Sequence, residues 1–178
     1  MKEQYVANIQ KQDGTKAVIV TAELDPVSFA WLDELRRRHF PADRNFLTAH
    51  LTMFHQVSPA DAEMVGRLGL PQAPLPARFT GVRFLGRGVA VDVACAPLIE
   101  LRETMRRHLK KVSAQDSQPW RPHVTVQNKV APSVARQLHG ELSNGFQARD
   151  GHIMGIMLWD YLGGPWSLLQ RLSFASSQ

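Results

Sequence analysis

A four-residue pattern occurs twice in this chain, once in each half. Residues 50–53 read His-Leu-Thr-Met and residues 123–126 read His-Val-Thr-Val. Polar and apolar residues alternate in both copies, and this period of two is typical of a β-strand with one buried face. The His and Thr of each copy therefore share the polar face. Two such strands, far apart in sequence, predict a fold with two similar halves.

The order of the predicted elements supports this division. It runs strand, helix, strand, helix, hairpin, then helix, strand, helix, hairpin. The predicted strands and hairpins cover residues 16–24, 46–57, 78–95, 120–130 and 151–174, and the predicted helices cover 25–40, 58–70, 97–112 and 131–144. Residues 71–77, PQAPLPA, are expected to be an irregular connection. Within residues 78–95, a tight turn at Gly86-Arg87-Gly88 is predicted to join two strands. We therefore expect an α+β fold built from two similar lobes.

The first predicted helix has a clear start and a basic end. Asp25 is expected to be its N-cap. Val27, Trp31 and Leu35 recur every four residues and predict its buried stripe. The basic residues 36–38 complement the negative end of the helix dipole, and a phosphate-binding role for one of them is the alternative.

The third predicted helix combines an apolar stripe with many basic residues. Its predicted buried residues are Leu98, Leu101, Met105 and Leu109. The basic residues, expected largely off this stripe, are Arg102, Arg106, Arg107, Lys110 and Lys111. A solvated helix face is the default for such a group, and an RNA-facing patch is the alternative.

Composition narrows the class of protein. The chain has 178 residues, of which 44% are hydrophobic and 21% charged, which is ordinary for a globular domain. A formal net charge of +5 permits a phosphate-bearing partner without establishing one.

The one cysteine, Cys95, is expected in the core, and the absence of a cysteine pair favours a reducing compartment. With no apolar segment long enough for a membrane span, we expect a cytoplasmic, monomeric protein.

The paired His-x-Thr motifs indicate acid–base chemistry on a phosphate. Two histidines facing one cavity can act as general base and general acid, because their pKa lies near working pH. Two neighbouring hydroxyls can donate hydrogen bonds to phosphate oxygens. The predicted catalytic residues are His50 and His123, and Thr52 and Thr125 are the predicted phosphate-binding residues. No cofactor is expected, and a metal site is disfavoured because no cysteine pair or carboxylate lies within either motif.

The sequence also allows predictions for residues outside the four motif positions. His55 lies five positions after His50 and is therefore expected on the opposite strand face, as a structural or exposed residue. His39, His108, His139 and His152 are expected on helix ends or surfaces, without catalytic chemistry.

Arg121 precedes the second motif and is predicted either to reach a phosphate or to be a surface charge. Trp120, Tyr161 and Trp166 can stack on a base, although packing is the alternative.

The two motifs resemble those of the two-histidine (2H) phosphoesterase superfamily, in its 2′–5′ RNA ligase-like and cyclic phosphodiesterase branch. The resemblance rests on residues 50–53 and 123–126 and extends to most of the chain through element order. It implies a LigT-like fold: one domain over residues 1–178, with two pseudo-symmetric lobes of antiparallel sheet and flanking helices. The four motif side chains would then meet in a central cleft.

The resemblance also implies a function. It predicts a metal-independent phosphoesterase that hydrolyses a 2′,3′-cyclic phosphate, or a 2′–5′ phosphodiester, of RNA or nucleotides, with reverse 2′–5′ ligation in some relatives. An RNA end or a cyclic-phosphate nucleotide would be the partner. Lys129 is the candidate for a basic residue that relatives carry after the second motif, and Arg121 and Tyr161 are further predicted substrate-binding residues. The alternative is a non-catalytic RNA- or nucleotide-binding module, which the basic excess favours.

Overall fold

Strands and helices alternate along the computed structural model of the chain, which describes residues 17–161 and 165–174. The strands are β1 (Val18–Leu24), β2 (Leu51–Val57), β3 (Leu75–Phe84), β4 (Val89–Ala94), β5 (His123–Gln127), β6 (Arg149–Tyr161) and β7 (Trp166–Ser173). The α-helices are α1 (Pro26–His39), α2 (Pro59–Val65), α3 (Ala96–His108) and α4 (Pro132–Gly145), and a 3₁₀ turn covers Ala42–Arg44. The described residues follow the predicted order of elements.

The seven strands of the described chain form one antiparallel sheet. Its main path is β2-β1-β6-β3-β4-β5, and β7 pairs with β6. The long strand β6 serves both halves, because its residues 149–153 pair with β3 and its residues 155–161 pair with β7. The sheet therefore divides into β2-β1-β6-β7 and β5-β4-β3-β6. This arrangement confirms the α+β fold with two similar lobes of antiparallel sheet.

The hydrophobic core lies between one face of the sheet and the helices. Fully buried side chains from the sheet include Val20, Met53, Phe79, Val124 and Ile156, and those from the helices include Leu32, Val65 and Leu98. Each such burial stabilises the fold by roughly 1.5–3 kcal/mol relative to an exposed side chain. Cys95 is 4% exposed, which confirms its expected place in the core.

Helix α1 buries a face next to the predicted one: Trp31 and Leu35 are half-buried against the core, as predicted, but Val27 is not. Val27 is 80% exposed, and the buried residues are Ser28, Leu32 and Arg36. The cause is the docking of its N-terminus: the Asp25 cap accepts bonds from the Ser28 hydroxyl and from the backbone N–H of His152 on β6. These bonds turn the Ser28 side of the helix toward the sheet.

A close approach between α1 and β6 requires a glycine. A Cβ atom at Gly151 would lie 2.3 Å from the Ser28 hydroxyl oxygen and 2.8 Å from the Asp25 carboxylate. Such contacts are far inside van der Waals distance, so a larger residue at position 151 would push the start of α1 away. Glycine at position 151 thus permits the close polar contacts that orient this helix.

Helix α3 buries its predicted stripe and one unexpected arginine. Leu98, Leu101 and Met105 are buried, as the spacing predicts. Arg102 is also buried, at 5% exposure, so its assignment to the exposed basic face was wrong. Its guanidinium lies over the Phe54 ring and donates to the carbonyl of Met53. A buried arginine is tolerated here because backbone oxygens satisfy its donors.

The hairpin β3–β4 turns where predicted but starts earlier. Gly86 adopts a φ of 81°, a conformation that glycine takes at little cost, and Leu85 N–H donates to Gly88 across the turn. The preceding Pro-rich segment is not wholly irregular, because β3 begins at Leu75 and pairs with β6 there. Pro76 sits at the beginning of this strand, where a missing N–H is tolerated.

Candidate active site

The two motif strands, β2 and β5, are the ends of the main sheet path and contact each other. His50 comes immediately before β2, and His123 is the first residue of β5. Both strands are shorter than the alternation predicted, since residues 46–50 and 120–122 lie outside them. The curvature of the sheet therefore brings together two motifs that are far apart in sequence.

Within each motif the side chains divide as the alternation predicts. Leu51, Met53, Val124 and Val126 are fully buried in the core. His50, Thr52, His123 and Thr125 are each half-buried. The hydroxyls of the two threonines make no hydrogen bond to residues 17–161 or 165–174. Both remain free to donate to a ligand.

The two imidazoles are held in the same way. His50 Nδ1 lies 2.7 Å from the carbonyl oxygen of Thr48, and His123 Nδ1 lies 2.8 Å from that of Arg121. A carbonyl oxygen only accepts, so Nδ1 must carry the proton in both rings. Each Nε2 is then the nitrogen available for proton transfer. Two equivalent bonds thus leave two equivalent reactive atoms.

The surroundings of His50 disfavour a positive charge on its ring. Protein atoms enclose most of the imidazole while one edge stays open to solvent, and this burial lowers its pKa to about 4. The charges of Arg36, His55 and His123 act in the same direction. The imidazole of His50 is therefore neutral at pH 7 and able to accept a proton.

His123 has a different electrostatic setting. Burial lowers the pKa of its imidazole below the ordinary value, and the charge of Arg83 adds to this. Asp92, its cross-strand partner on β4, opposes the lowering. Arg83 and Asp92 form an ion pair with each other. A carboxylate beside one motif histidine distinguishes it from the other.

A buried arginine that the sequence did not reveal joins the two motif regions. Arg36 on α1 donates from Nη1 to the carbonyl of Thr125 at 2.8 Å. Its Nε donates to the carbonyl of Leu47 and to Asn45 Oδ1, both at 2.9 Å. Arg36 lies in the last turn of α1, as predicted, but it is 4% exposed and its donors bind oxygens of the protein. No pattern within α1 indicates it, because its partners come from both halves of the chain.

A cavity of about 540 Å³ opens beside His50. Its lining is largely apolar and includes Phe29, Phe46, Met157, Trp159 and Trp166. The Trp166 ring lies 4.7 Å from the His50 ring, centroid to centroid. This volume falls in the range of small-molecule sites. The aromatic walls favour a flat, partly apolar ligand.

The three other predicted substrate-binding residues lie at different places. Arg121 is exposed and contributes its carbonyl to the bond with His123. Tyr161 is half-buried at the end of β6, opposite Trp166 in register. Lys129 is exposed in the turn after β5, with a φ of 62°, and its carbonyl accepts a bond from Arg44. Their substrate contacts stay predictions.

The placement of His55 differs from the expectation. β1 pairs Thr21 with Thr52 but Val20 with Phe54, so β2 contains a bulge at position 53. Met53 and Phe54 are both fully buried, which reverses the alternation after them. His55 therefore returns to the face of Thr52. Strict alternation from His50 assigns His55 to the wrong strand face, because the bulge adds one residue.

Two further observations bear on cofactors and membranes. Among residues 17–161 and 165–174, no three His, Cys, Asp or Glu side chains are grouped so as to hold a metal ion. None of the helices in the described part of the chain is both long and apolar enough to cross a bilayer.

Comparison with known proteins identifies the family. The model of the 2′-5′ RNA ligase superfamily matches residues 24–165, a span that includes both motifs. The chain belongs to the 2′-5′ RNA ligase superfamily. The resemblance to two-histidine phosphoesterases is thereby confirmed, and membership in this superfamily supports an enzyme of the phosphoesterase or RNA ligase type. A search of curated proteins found no significant match.

Solved structures share the fold of this superfamily member. TT0787 of Thermus thermophilus has a TM-score of 0.64 at 17% identity, covering 91% of this chain and 100% of its own. E. coli LigT in complex with 3′-AMP has a TM-score of 0.57 at 18% identity, covering 92% and 99%. E. coli LigT complexed with NADP+ has a TM-score of 0.56 at 16% identity, covering 89% and 98%. These similarities confirm the LigT-like fold.

Proposed function

We propose that this protein is a metal-independent phosphoesterase that hydrolyses the 2′,3′-cyclic phosphate of RNA or a nucleotide. The observation that carries the proposal is the matched pair of imidazoles on contacting edge strands. In each, Nδ1 is tied to a backbone carbonyl and Nε2 is free. One free hydroxyl accompanies each ring, which supplies the groups that proton transfer and phosphate binding require.

The electrostatic difference between the histidines supports distinct roles. Neutral His50 takes a proton from water at Nε2 while the water oxygen attacks phosphorus. The bond between phosphorus and one ribose oxygen breaks, and Nε2–H of protonated His123 gives its proton to that oxygen. Thr52 and Thr125 donate hydrogen bonds to the non-bridging oxygens, where negative charge increases in the transition state. The product is a ribose phosphomonoester.

With His50 as the base and His123 as the acid, kcat/KM depends on the protonation of both rings. At low pH, protonation of His50 near pH 4 removes the base. At higher pH, His123 loses its proton below the ordinary value of 6.5 and the acid is lost. We expect a bell-shaped profile with its maximum on the acid side of neutrality. A maximum above pH 7 would contradict this assignment.

The cavity beside His50 supports a nucleoside as the non-reacting part of the substrate. Stacking of a base on an aromatic ring contributes about 1–3 kcal/mol, and Trp166 and Trp159 line this cavity. E. coli LigT, which shares the fold, has been crystallised with 3′-AMP. We propose that the base enters this cavity while the cyclic phosphate lies between His50 and His123. Tyr161, Arg121 and Lys129 remain candidates for contacts to the rest of an RNA end.

The test is incubation of the protein in EDTA with adenosine 2′,3′-cyclic phosphate and with an RNA oligonucleotide ending in a cyclic phosphate. Products are identified by phosphorus NMR, which also separates the 2′- from the 3′-phosphate. We expect turnover by the wild type and a large loss in His50→Ala and His123→Ala. Equal turnover by the three proteins would refute the proposal. Tight RNA binding without any product would favour the non-catalytic binding module.

A further inference from the structure

The bulge in β2 brings a third imidazole to the strand face that carries the first motif. On the neighbouring strand β1, Thr21 lies opposite Thr52 and Val20 lies opposite Phe54. Val20 belongs to the core, whereas the Thr52 and Thr21 side of the sheet faces away from it. His55 follows Phe54 on that second side, and its side chain is 46% exposed.

A buried carboxylate holds this third imidazole in place. His55 Nδ1 lies 2.9 Å from Asp116 Oδ1, and Asp116 is 2% exposed. The same carboxylate accepts from the backbone N–H of His55 and of Gln56 and from the Ser113 hydroxyl. Burial alone would raise the pKa of Asp116, but these bonds, led by that from the His55 ring, hold it below its ordinary value. Asp116 is therefore ionised at neutral pH.

Arg102 fixes the loop from which Asp116 comes. Its Nη2 donates to the carbonyl of Asp116, and its Nε donates to the carbonyl of Met53 in the bulge. The loop and the bulge are thus joined twice, once through the guanidinium and once through the carboxylate. This double attachment determines the position of the His55 ring.

His55 is bonded through the same ring nitrogen as the two motif histidines. Because Asp116 accepts from Nδ1, Nε2 is the free nitrogen, as in His50 and His123. His55 also lies close to both of them, since its charge lowers the pKa of each. Three imidazoles, each tied through Nδ1, therefore lie near one another at the motif strands.

We infer that His55 binds the substrate phosphate through Nε2 and that Asp116 is its positioning residue. The inference rests on the proposed function for its substrate, a ribose phosphate. With Nδ1–H bound to Asp116, a second proton on Nε2 makes the ring a cation that donates to a non-bridging phosphate oxygen. A structural link between β2 and the loop would need only the Nδ1 bond. It would not need an open Nε2 near two other histidines.

Two substitutions separate phosphate binding from the structural link. In His55→Asn the amide nitrogen replaces Nδ1 and keeps the bond to Asp116, but nothing replaces Nε2. In His55→Gln the amide nitrogen reaches toward the Nε2 position and the Asp116 bond is lost. His108→Asn is the control, because His108 is exposed at the end of α3 and bonds to its own helix. Thermal denaturation establishes that each variant is folded.

The probe is inorganic phosphate, whose binding is measured by calorimetry without any turnover. We expect the Kd of His55→Asn to rise about 10- to 100-fold, the value of one charge-assisted hydrogen bond, with an unchanged Tm. The KM for adenosine 2′,3′-cyclic phosphate should rise by a similar factor while kcat changes less. His55→Gln should retain part of the affinity, and His108→Asn should retain all of it.

The outcomes distinguish this inference from the proposed reaction. If His55→Asn binds phosphate as tightly as the wild type, or if the wild type binds none at millimolar concentration, His55 has only a structural role. If the wild type cleaves no cyclic phosphate but the affinity for phosphate still falls in His55→Asn, the proposed reaction is wrong and the phosphate contact stands.

Discussion

His50 and His123 make the same bond from Nδ1 to the carbonyl two residues earlier, but their neighbours differ. The first ring packs against Trp166 beside an apolar cavity. The second lies across from Asp92, which is paired with Arg83. Similar lobes thus supply matching ring nitrogens, while unlike surroundings support the different roles that we propose for them. Local pseudo-symmetry and electrostatic asymmetry are thus compatible in one fold.

The largest expected effect is the loss of either imidazole. In His50→Asn and His123→Asn the amide can keep the bond to the backbone carbonyl, so only Nε2 is removed. Each change should lower kcat/KM for a cyclic phosphate by about 10²–10⁴-fold, because each removes one proton transfer. The double variant should lose less than the product of the two factors, since the groups act in one step.

Steady-state kinetics of the three variants checks this expectation. His108→Asn provides the matched control for an exposed histidine outside the motifs. Loss of activity in only one of the two single variants would contradict the pairing of base and acid, because it would assign both proton transfers to one half of the site.

The next effect concerns the connection between the halves. Arg36→Met should lower the free energy of unfolding by about 3–5 kcal/mol, because it leaves the oxygens of Thr125, Leu47 and Asn45 without their donor. Arg37→Met on the same helix removes a surface pair with Glu34, which solvent screens, and should leave the free energy of unfolding nearly unchanged. Urea denaturation measures both. Equal values would show that the buried guanidinium does not join the halves.

A smaller effect is expected from the cavity beside His50. Trp166→Ala removes the ring beside His50 and should raise KM for a cyclic nucleotide about 5- to 100-fold, the range of one stacking contact. The control is Leu168→Ala, which changes an exposed residue of the same strand outside the cavity lining. An unchanged KM in Trp166→Ala would place the base elsewhere.

The last prediction concerns the pH dependence of stability. The pKa of His50 is about 4 in the folded protein and ordinarily 6.5, so between these values the unfolded chain binds more protons. The contribution of the neutral His50 ring to the free energy of unfolding is therefore fully present above pH 6.5, and it is lost as the pH falls toward 4. His50→Asn should flatten the fall in unfolding free energy over this window, and His123→Asn should flatten it less. Urea titrations at several pH values test the order, and the reverse order would show that His123 has the more depressed pKa.

Much of the fold could be predicted from the sequence because its signals are local. The Asp25 cap, the Gly86 turn and the stripe of α3 follow from the chemistry of neighbouring residues, and the structure confirms them. On α1 the packing of Trp31 and Leu35 was predicted, but the exposure of Val27 was not, because bonds from Asp25 to a distant strand decide how the helix begins. Periodicity also could not predict the burial of Arg102, whose partners lie on β2 and in the loop before β5.

By itself the sequence determined the two alternating motifs, since the period of two already assigns each His and Thr to one face and the apolar residues to the core. Only the tertiary structure decided that the two edge strands meet, that Arg36 joins them and that the bulge brings His55 to the same face as Thr52. The reason is that these features depend on hydrogen bonds between residues far apart in the chain. These hydrogen bonds stabilise the protein only when the sheet curvature, the strand register and the burial of the arginines are established together.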